Sequence, residues 1–300
     1  MRAVVLALGL LLFTAGCGSA ASGDTSDGSR LRVVAAENTW GSLAAQLAGR
    51  EGDVTSIVSS PNADPHDYEP TAADARSLAG ANLVLVNGIG YDPWASKLIA
   101  ANPVDGRVVL DVGKLLGLSS GANPHRWYSP QDVQRVIRAT VRDYKRIEPG
   151  AAAYFDKRET KLETSGLAWY RRLIATIRKR YRGVPVGASE SIVQPLAQAL
   201  GLKLVTPPSF LRAISEGTEP TAGNRTTIDR QLARKQIAVW IVNTQNSTPD
   251  VARITAAART HGIPVVSVTE TPVPASVSLQ SWQTRQLRAL AAALAKATNR

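Results

Sequence analysis

Two of the chain's three histidines directly follow a proline, in "ADPHDYEP" (residues 63–70) and in "ANPHRWYSP" (residues 122–130). Proline fixes the backbone dihedral φ, so His66 and His125 both stand in turns of restricted geometry. A neutral imidazole is a common metal ligand, but a histidine in a turn can equally be an ordinary packed side chain. The third histidine, His261, ends a helix-like segment, where it can interact with the last carbonyls. His66 and His125 are therefore the candidate pair for metal chemistry.

The segments around these histidines predict an α/β architecture, because apolar strand-like runs alternate with helix-like segments from Leu31 onward. The runs fall into two sets, residues 31–37, 53–59, 82–88 and 107–113, then 184–189, 203–207, 238–243 and 264–268. Their uniformly apolar composition is typical of parallel strands buried on both faces. Both histidines lie in loops after strands of the first set. Ligands collect at the carboxyl ends of such strands, so this placement favours binding.

A long helix-like segment, residues 149–182, joins the two sets. Apolar residues recur there at intervals of seven or four, which predicts a buried helical stripe. The stripe comprises Phe155, Leu162, Trp169, Leu173, Ile177 and Tyr181. One helix of this length would extend about 50 Å, whereas Gly166 leaves two consecutive helices as the alternative. We predict a first lobe over residues 31–148, a connecting helix over 149–182 and a second lobe over 183–300.

The N-terminus has the pattern of a secretory signal peptide over residues 1–17: one basic residue, a short apolar run and small residues before Cys17. Residues 14–17 resemble a bacterial lipobox, whose cysteine is acylated after cleavage, although Thr14 replaces the usual leucine. Residues 18–30 are small and polar, typical of a flexible tether. We predict export, followed by anchoring in the membrane through acylated Cys17 on the outer face of the cytoplasmic membrane, or a periplasmic location. A plain secretory signal is the alternative.

The charge balance is strongly basic, with 35 Lys and Arg against 24 Asp and Glu and a formal net charge of +11. Such an excess attracts anionic partners. No nucleic-acid-binding motif accompanies it, and an exported chain does not meet cytoplasmic nucleic acid. We interpret the densest basic stretch, residues 170–183, as a solvated helix face that can also contact anionic lipid. We therefore exclude nucleic acid as a partner.

The two histidine motifs resemble those of the metal-binding solute receptors of ABC importers, the bacterial family that includes zinc, manganese and iron receptors. The resemblance extends, in the expected order, through "LVLVNGIGYDPW" (83–94), the connecting segment, "GASESIVQPLAQALGL" (187–202) and "ISEGTEPTAGN" (214–224). It implies two Rossmann-like lobes, each with a mainly parallel sheet flanked by helices, joined by a long connecting helix. It also implies a monomeric receptor that delivers one divalent transition metal ion to a membrane permease.

The resemblance implies four metal ligands, two from each lobe. The first two match His66 and His125, and the third matches Glu190 in "VGASESIV". The fourth is commonly an aspartate, and Glu270 stands at that position in "PVVSVTETPVP", with an arm longer by one methylene. Two neutral imidazoles and two carboxylates carry a charge of −2, which a divalent cation neutralises. The ligands are far apart in sequence, so only the fold can assemble this site.

Four more residues flank the histidines. Asp67 and Glu69 are candidates to orient the imidazole of His66, because a metal-bound histidine usually donates its other N–H to an acceptor. Solvated turn carboxylates are the alternative. Asn123 and Trp127 are candidates to close the pocket beside His125, although a tryptophan there is also compatible with simple core packing.

The ligand types restrict the ion. Calcium prefers more oxygen atoms and no imidazole, and cuprous copper prefers sulfur. Glu at the third position is similar to the manganese receptors, and the segment before His125 lacks the histidine-rich loop of many zinc receptors. We expect one Mn²⁺ or Zn²⁺ as the transported ligand, with ferrous iron as a third option.

Other functions remain compatible with the same donors. A metal-dependent hydrolase of the cell envelope would use the ion to activate water, and a surface adhesin or metal-storage protein would also bind it. The sequence contains no HExxH, no nucleophile elbow and no Gly-rich phosphate loop. We therefore predict a receptor and not an enzyme.

Overall fold

The computed structural model describes residues 30–63 and 65–300. The predicted signal peptide, the predicted acylation site Cys17 and all of the predicted tether except Arg30 lie outside the described residues. Within those ranges, no helix combines the length and the apolar composition needed to cross a membrane.

The first lobe is built on a parallel sheet with the strand order β2-β1-β3-β4. Its strands are β1 (Leu31–Glu37), β2 (Gly52–Val58), β3 (Leu83–Val86) and β4 (Val108–Asp111). Its helices are α1 (Asn38–Ala48), α2 (Ala72–Ala79), α3 (Pro93–Ala101), α4 (Val112–Leu116) and α5 (Pro130–Ile147). Along β1, Val33 and Ala35 face the main core, whereas Val34 and Ala36 face a second cluster that includes Trp94 of α3. Both faces of the sheet are therefore buried, as the uniform apolar composition predicts.

The second lobe repeats this arrangement with the strand order β6-β5-β7-β8, again all parallel. Its strands are β5 (Pro185–Ala188), β6 (Lys203–Leu204), β7 (Val239–Asn243) and β8 (Val265–Val268). Its helices are α8 (Gln194–Leu200), α9 (Pro208–Ser215), α10 (Ala222–Ala233), α11 (Pro249–Thr260) and α12 (Leu279–Thr298). In the first lobe β2 lies on one side of β1 and β3 on the other, and in the second lobe β6 and β7 flank β5 in the same way. The crevice beside such a reversal of chain direction is a preferred ligand site. The predicted fold class is confirmed.

The connection between the lobes is helical, but it is not one α-helix. It consists of α6 (Ala152–Lys161), a π-helical turn over Leu162–Gly166, and α7 (Ala168–Tyr181). The backbone N–H of Leu167 donates to the carbonyl of Leu162 at 2.8 Å, the i to i+5 bond of a π-turn. The extra residue in this turn rotates all later positions by about 100° around the helix.

That rotation overturns one prediction about the connection. Trp169, predicted in the buried stripe, is 50% exposed, and Tyr170 is buried instead. The guanidinium groups of Arg172 and Arg288 lie 5.4 and 5.5 Å from the centroid of the Trp169 ring. Phe155, among the other stripe residues, is buried as predicted.

The main apolar core runs through both lobes, and includes Leu43 of α1 and Val186 of β5. Helix α12 packs on β8 and α7 and also contacts α1 of the first lobe. At that contact, the backbone N–H of Leu279 donates to the Ser42 hydroxyl at 2.9 Å. Wide separation of the lobes would expose this core, at about 25 cal/mol for each Å² of apolar surface.

Candidate metal centre

His66 lies in the loop after β2, and two contacts with the first lobe fix its position. The indole N–H of Trp94 donates to the carbonyl of Pro65 at 3.0 Å. The imidazole packs edge-on against Tyr91, with ring centroids 4.7 Å apart and planes at 75°. The buried proline and the aromatic contact explain how a loop residue holds one orientation.

His125 is buried, and Asn123 determines which of its nitrogens is protonated. The side-chain NH₂ of Asn123 donates to the carbonyl of Ser191 at 2.7 Å, so its oxygen faces His125. That oxygen lies 3.0 Å from the backbone nitrogen and 3.0 Å from Nδ1 of His125. An amide oxygen can only accept, so Nδ1 carries a proton. Nε2 is left to face Glu270, whose Oε1 is 3.1 Å away.

Glu190 follows β5 and is only 2% exposed. The side-chain NH₂ groups of Asn243 and Asn246 donate to its two oxygens, the latter at 2.7 Å. Burial, together with the negative charge of Glu270, raises the pKa of Glu190 to about 7, although His125 and the two amides oppose the shift. This carboxyl therefore retains a proton more readily than an exposed glutamate does.

Glu270 follows β8 and lies between the two histidines. Burial alone would raise the pKa of Glu270, but the net effect is a lowered pKa. The hydrogen bond and charge of His125, the charge of His66 and a hydrogen bond from Tyr91 all favour the anion and outweigh burial. The pKa values of the two carboxyl groups are thus shifted in opposite directions. Glu270 is an anion paired with the histidines, whereas Glu190 retains a proton more readily.

These four side chains, two from each lobe, line one cavity of about 400 Å³ between the lobes. The structure therefore places His66, His125, Glu190 and Glu270 around the same cavity. Over residues 30–63 and 65–300, however, no three His, Cys, Asp or Glu side chains are close enough together to hold a metal ion as they stand. His125 is hydrogen-bonded to Glu270, and Glu190 accepts hydrogen bonds from two amides. These hydrogen bonds must break before the side chains can bind an ion. Their role as ligands stays a prediction.

The flanking candidates differ in their environment. Trp127 is buried and packs edge-on against the His125 ring, with centroids 5.4 Å apart. Together with Asn123, it fixes the orientation of that imidazole. Asp67 and Glu69 are exposed, and Asp67 lines an adjoining cavity of about 680 Å³. Orientation of His66 by these two carboxylates stays a prediction.

Sequence reasoning missed the side chains that hold the carboxylates. Tyr91, Asn243 and Asn246 bond to Glu270 or Glu190, and Gln245 accepts from the backbone N–H of Glu270 at 2.6 Å. A signal was present, because these residues end or follow the buried strands β3 and β7, at the ligand-binding edge of each sheet.

A second pair of carboxyl groups, Glu37 and Asp92, lies buried in the first lobe near the site. Asp92 accepts from the backbone N–H groups of Asn87 and Gly88, both at 2.7 Å. Burial raises the pKa of Asp92 to about 6, against the effect of these donors. Burial also raises the pKa of Glu37 well above its usual value, and the neighbouring Asp92 adds to the shift. The pair therefore favours a shared proton over two charges.

We expect Glu37→Gln to stabilise the protein increasingly as pH rises from about 5 to about 8. A carboxyl whose folded-state pKa is raised contributes most below its unfolded-state pKa, and the contribution is lost as pH rises through the folded-state pKa. Glutamine cannot ionise, so this loss disappears, and each pKa unit is worth about 1.4 kcal/mol. Urea unfolding at several pH values measures the effect. Asp105→Asn, at an exposed position, is the control, and parallel profiles for Glu37→Gln and the unmodified chain would contradict the expectation.

Comparison with known proteins shows similarity along nearly the whole described chain. The family described as zinc-uptake complex component A, periplasmic, matches residues 33–293. The manganese-binding lipoprotein MntA of Halalkalibacterium halodurans is 28% identical over 202 residues, covering 65% of this chain and 66% of that protein. The metal ABC transporter substrate-binding lipoprotein FimA of Streptococcus parasanguinis is 24% identical, covering 87% of this chain and 85% of that protein.

Solved structures show the same fold. The structure of the protein FpvC from Pseudomonas aeruginosa in complex with Mn²⁺ has a TM-score of 0.71 and 20% sequence identity, and covers 89% of this chain and 99% of that chain. This likeness concerns the arrangement of the two lobes. The chemistry of the present cavity depends on its own side chains.

Proposed function

Because the chain belongs to the family of periplasmic zinc-uptake component A proteins, we propose that it is an extracytoplasmic solute-binding receptor of an ABC importer. It captures a divalent transition metal ion between its lobes and delivers it to the importer. The observation that carries this proposal is the cavity lined by His66, His125, Glu190 and Glu270, two residues from each lobe. Imidazole and carboxylate donors from opposite lobes make capture dependent on the relative position of the lobes.

The cargo is manganese or zinc, with ferrous iron as the third option. Imidazole ligands suit zinc and iron, whereas carboxylate ligands suit manganese. The relative MntA is named for manganese and the family for zinc. Glu270, one methylene longer than the usual aspartate, adds reach to a carboxylate that must leave His125 before it can bind the ion.

The chain acts outside the cytoplasm and is anchored to the membrane. The relatives MntA and FimA are named as lipoproteins, and acylated Cys17 is the proposed anchor. Its protein partner is the membrane permease of the importer, and we infer that one receptor chain acts as a monomer. We also infer that it binds its cargo without catalysis, since its relatives carry binding and transport names.

A metal titration tests the proposal. After treatment with a chelator, the purified chain should bind one Mn²⁺ or one Zn²⁺, measured by calorimetry. Zinc should compete successfully with manganese, since first-row ions follow that order at most nitrogen and oxygen sites. Metal content after purification without a chelator then identifies the native cargo. A chain that binds neither ion, or that hydrolyses esters only when metal is present, would contradict the receptor function.

A further inference from the structure

Gln245, in the loop after β7, makes hydrogen bonds with every donor and acceptor of its side-chain amide. Its Oε1 accepts from the backbone N–H groups of Glu270 at 2.6 Å and Thr271 at 2.9 Å. Its Nε2 donates to the Thr271 hydroxyl at 2.9 Å and to the carbonyl of Pro61 at 2.7 Å. An amide oxygen has two lone pairs and an amide nitrogen two protons, so the group is fully satisfied.

The partners of Gln245 belong to both lobes. Pro61 lies in the first lobe, in the loop that carries His66, whereas Glu270 follows β8 of the second lobe. Gln245 also donates its own backbone N–H to Oδ1 of Asn243 at 3.0 Å. Asn243 in turn donates to Glu190. One residue thus connects the segments that carry three of the four candidate ligands.

We propose that Gln245 is a positioning residue that couples metal capture to closure of the His66 loop onto the second lobe. The inference deepens the proposed receptor function and rests on it. When the loop is closed, the bond to Pro61 holds His66 over the cavity, and the same amide holds the Glu270 backbone. An ion that binds both side chains therefore stabilises the bond between the lobes, and that bond slows release of the ion.

Gln245→Glu keeps the acceptor oxygen of this side chain and removes its N–H donors. The carboxylate still accepts from the backbone N–H groups of Glu270 and Thr271, but it cannot donate to the carbonyl of Pro61. Added negative charge should by itself favour a cation, so a fall in affinity would identify the lost bond. Gln245→Met, which is uncharged and makes none of these bonds, should weaken binding at least as much.

The matched control is Gln231→Glu. Gln231, in α10, also donates its side-chain N–H to a backbone carbonyl, that of Val205 at 2.7 Å. Both partners of that bond belong to the second lobe. The control therefore removes the same kind of hydrogen bond without touching the contact between the lobes.

We expect Gln245→Glu to lower Mn²⁺ and Zn²⁺ affinity by about tenfold, as removal of a residue that orients a ligand typically does. Dissociation of the ion into excess chelator should accelerate by a similar factor. Hydrogen exchange at the backbone amides of residues 62–63 and 66–68 should become faster, and bound metal should no longer slow it. In a His66→Ala background, Gln245→Glu should have almost no further effect on affinity, because the ligand that the loop delivers is gone.

Each outcome separates this inference from the receptor function. If the unmodified chain binds metal and Gln245→Glu binds it with unchanged affinity and release rate, Gln245 has no coupling role, although the receptor function stands. Additive effects of Gln245→Glu and His66→Ala would also overturn the coupling. If the unmodified chain binds no metal, the receptor function itself fails.

Discussion

His125→Ala should lower the affinity for Mn²⁺ and Zn²⁺ by more than about 100-fold, because loss of a ligand exceeds the effect of losing a residue that only orients one. Nε2 of His125 is the ring nitrogen that faces the cavity, since Asn123 engages Nδ1. The substitution also leaves a void beside Trp127. Calorimetry of the chelator-treated variant measures the affinity, and circular dichroism verifies that the fold persists.

The third histidine provides the matched control for this prediction. His261 follows α11 and lines neither of the two cavities beside the candidate ligands. His261→Ala should therefore bind both ions as the unmodified chain does. The assignment of His125 as a ligand would be refuted if its alanine variant folded and retained native affinity.

Acidification should release the ion, with affinity declining as pH falls below about 7, near the pKa of Glu190. Below that pH Glu190 is mostly protonated, and the ion must displace this proton before it can bind. A single proton with this pKa lowers the affinity roughly twentyfold between about pH 7.5 and about pH 5.5.

Proton release measures this competition directly. Calorimetric titrations near pH 6.5, in buffers of different ionisation enthalpy, should show protons released as Mn²⁺ or Zn²⁺ binds. Glu190→Gln removes both the titrating group and a ligand charge, so its affinity should be low and less sensitive to pH. Affinity that stays constant between about pH 7.5 and about pH 5.5 would refute the displacement of a proton from Glu190.

The sequence predicted the architecture well because its signals are local. Uniformly apolar runs bounded by polar loops gave both sets of strands, and the prolines before His66 and His125 marked two loops at the carboxyl edge of the first sheet. Glu190 and Glu270 carry no comparable local signal, and only resemblance to a family singled them out. The structure then places both of them on the same cavity as the histidines.

Features that depend on tertiary geometry were beyond such reasoning. The π-turn at Leu162–Gly166 moved Trp169 out of the buried stripe, and apolar periodicity alone assumes a regular helix. Gln245 reads as an ordinary polar loop residue, since its role comes from partners in remote segments. Glu37 ends an apolar strand, and only burial beside Asp92 makes its ionisation unfavourable.

The apolar core that passes through both lobes affects how long the ion stays bound. Because separating the lobes would expose that core to water, we expect the ion to leave through local movements of the short loops around the cavity. The residence time of the ion then depends on the few hydrogen bonds that hold these loops, such as the bond from Gln245 to Pro61. A membrane partner that moves one of these loops would then release the ion without separating the two lobes.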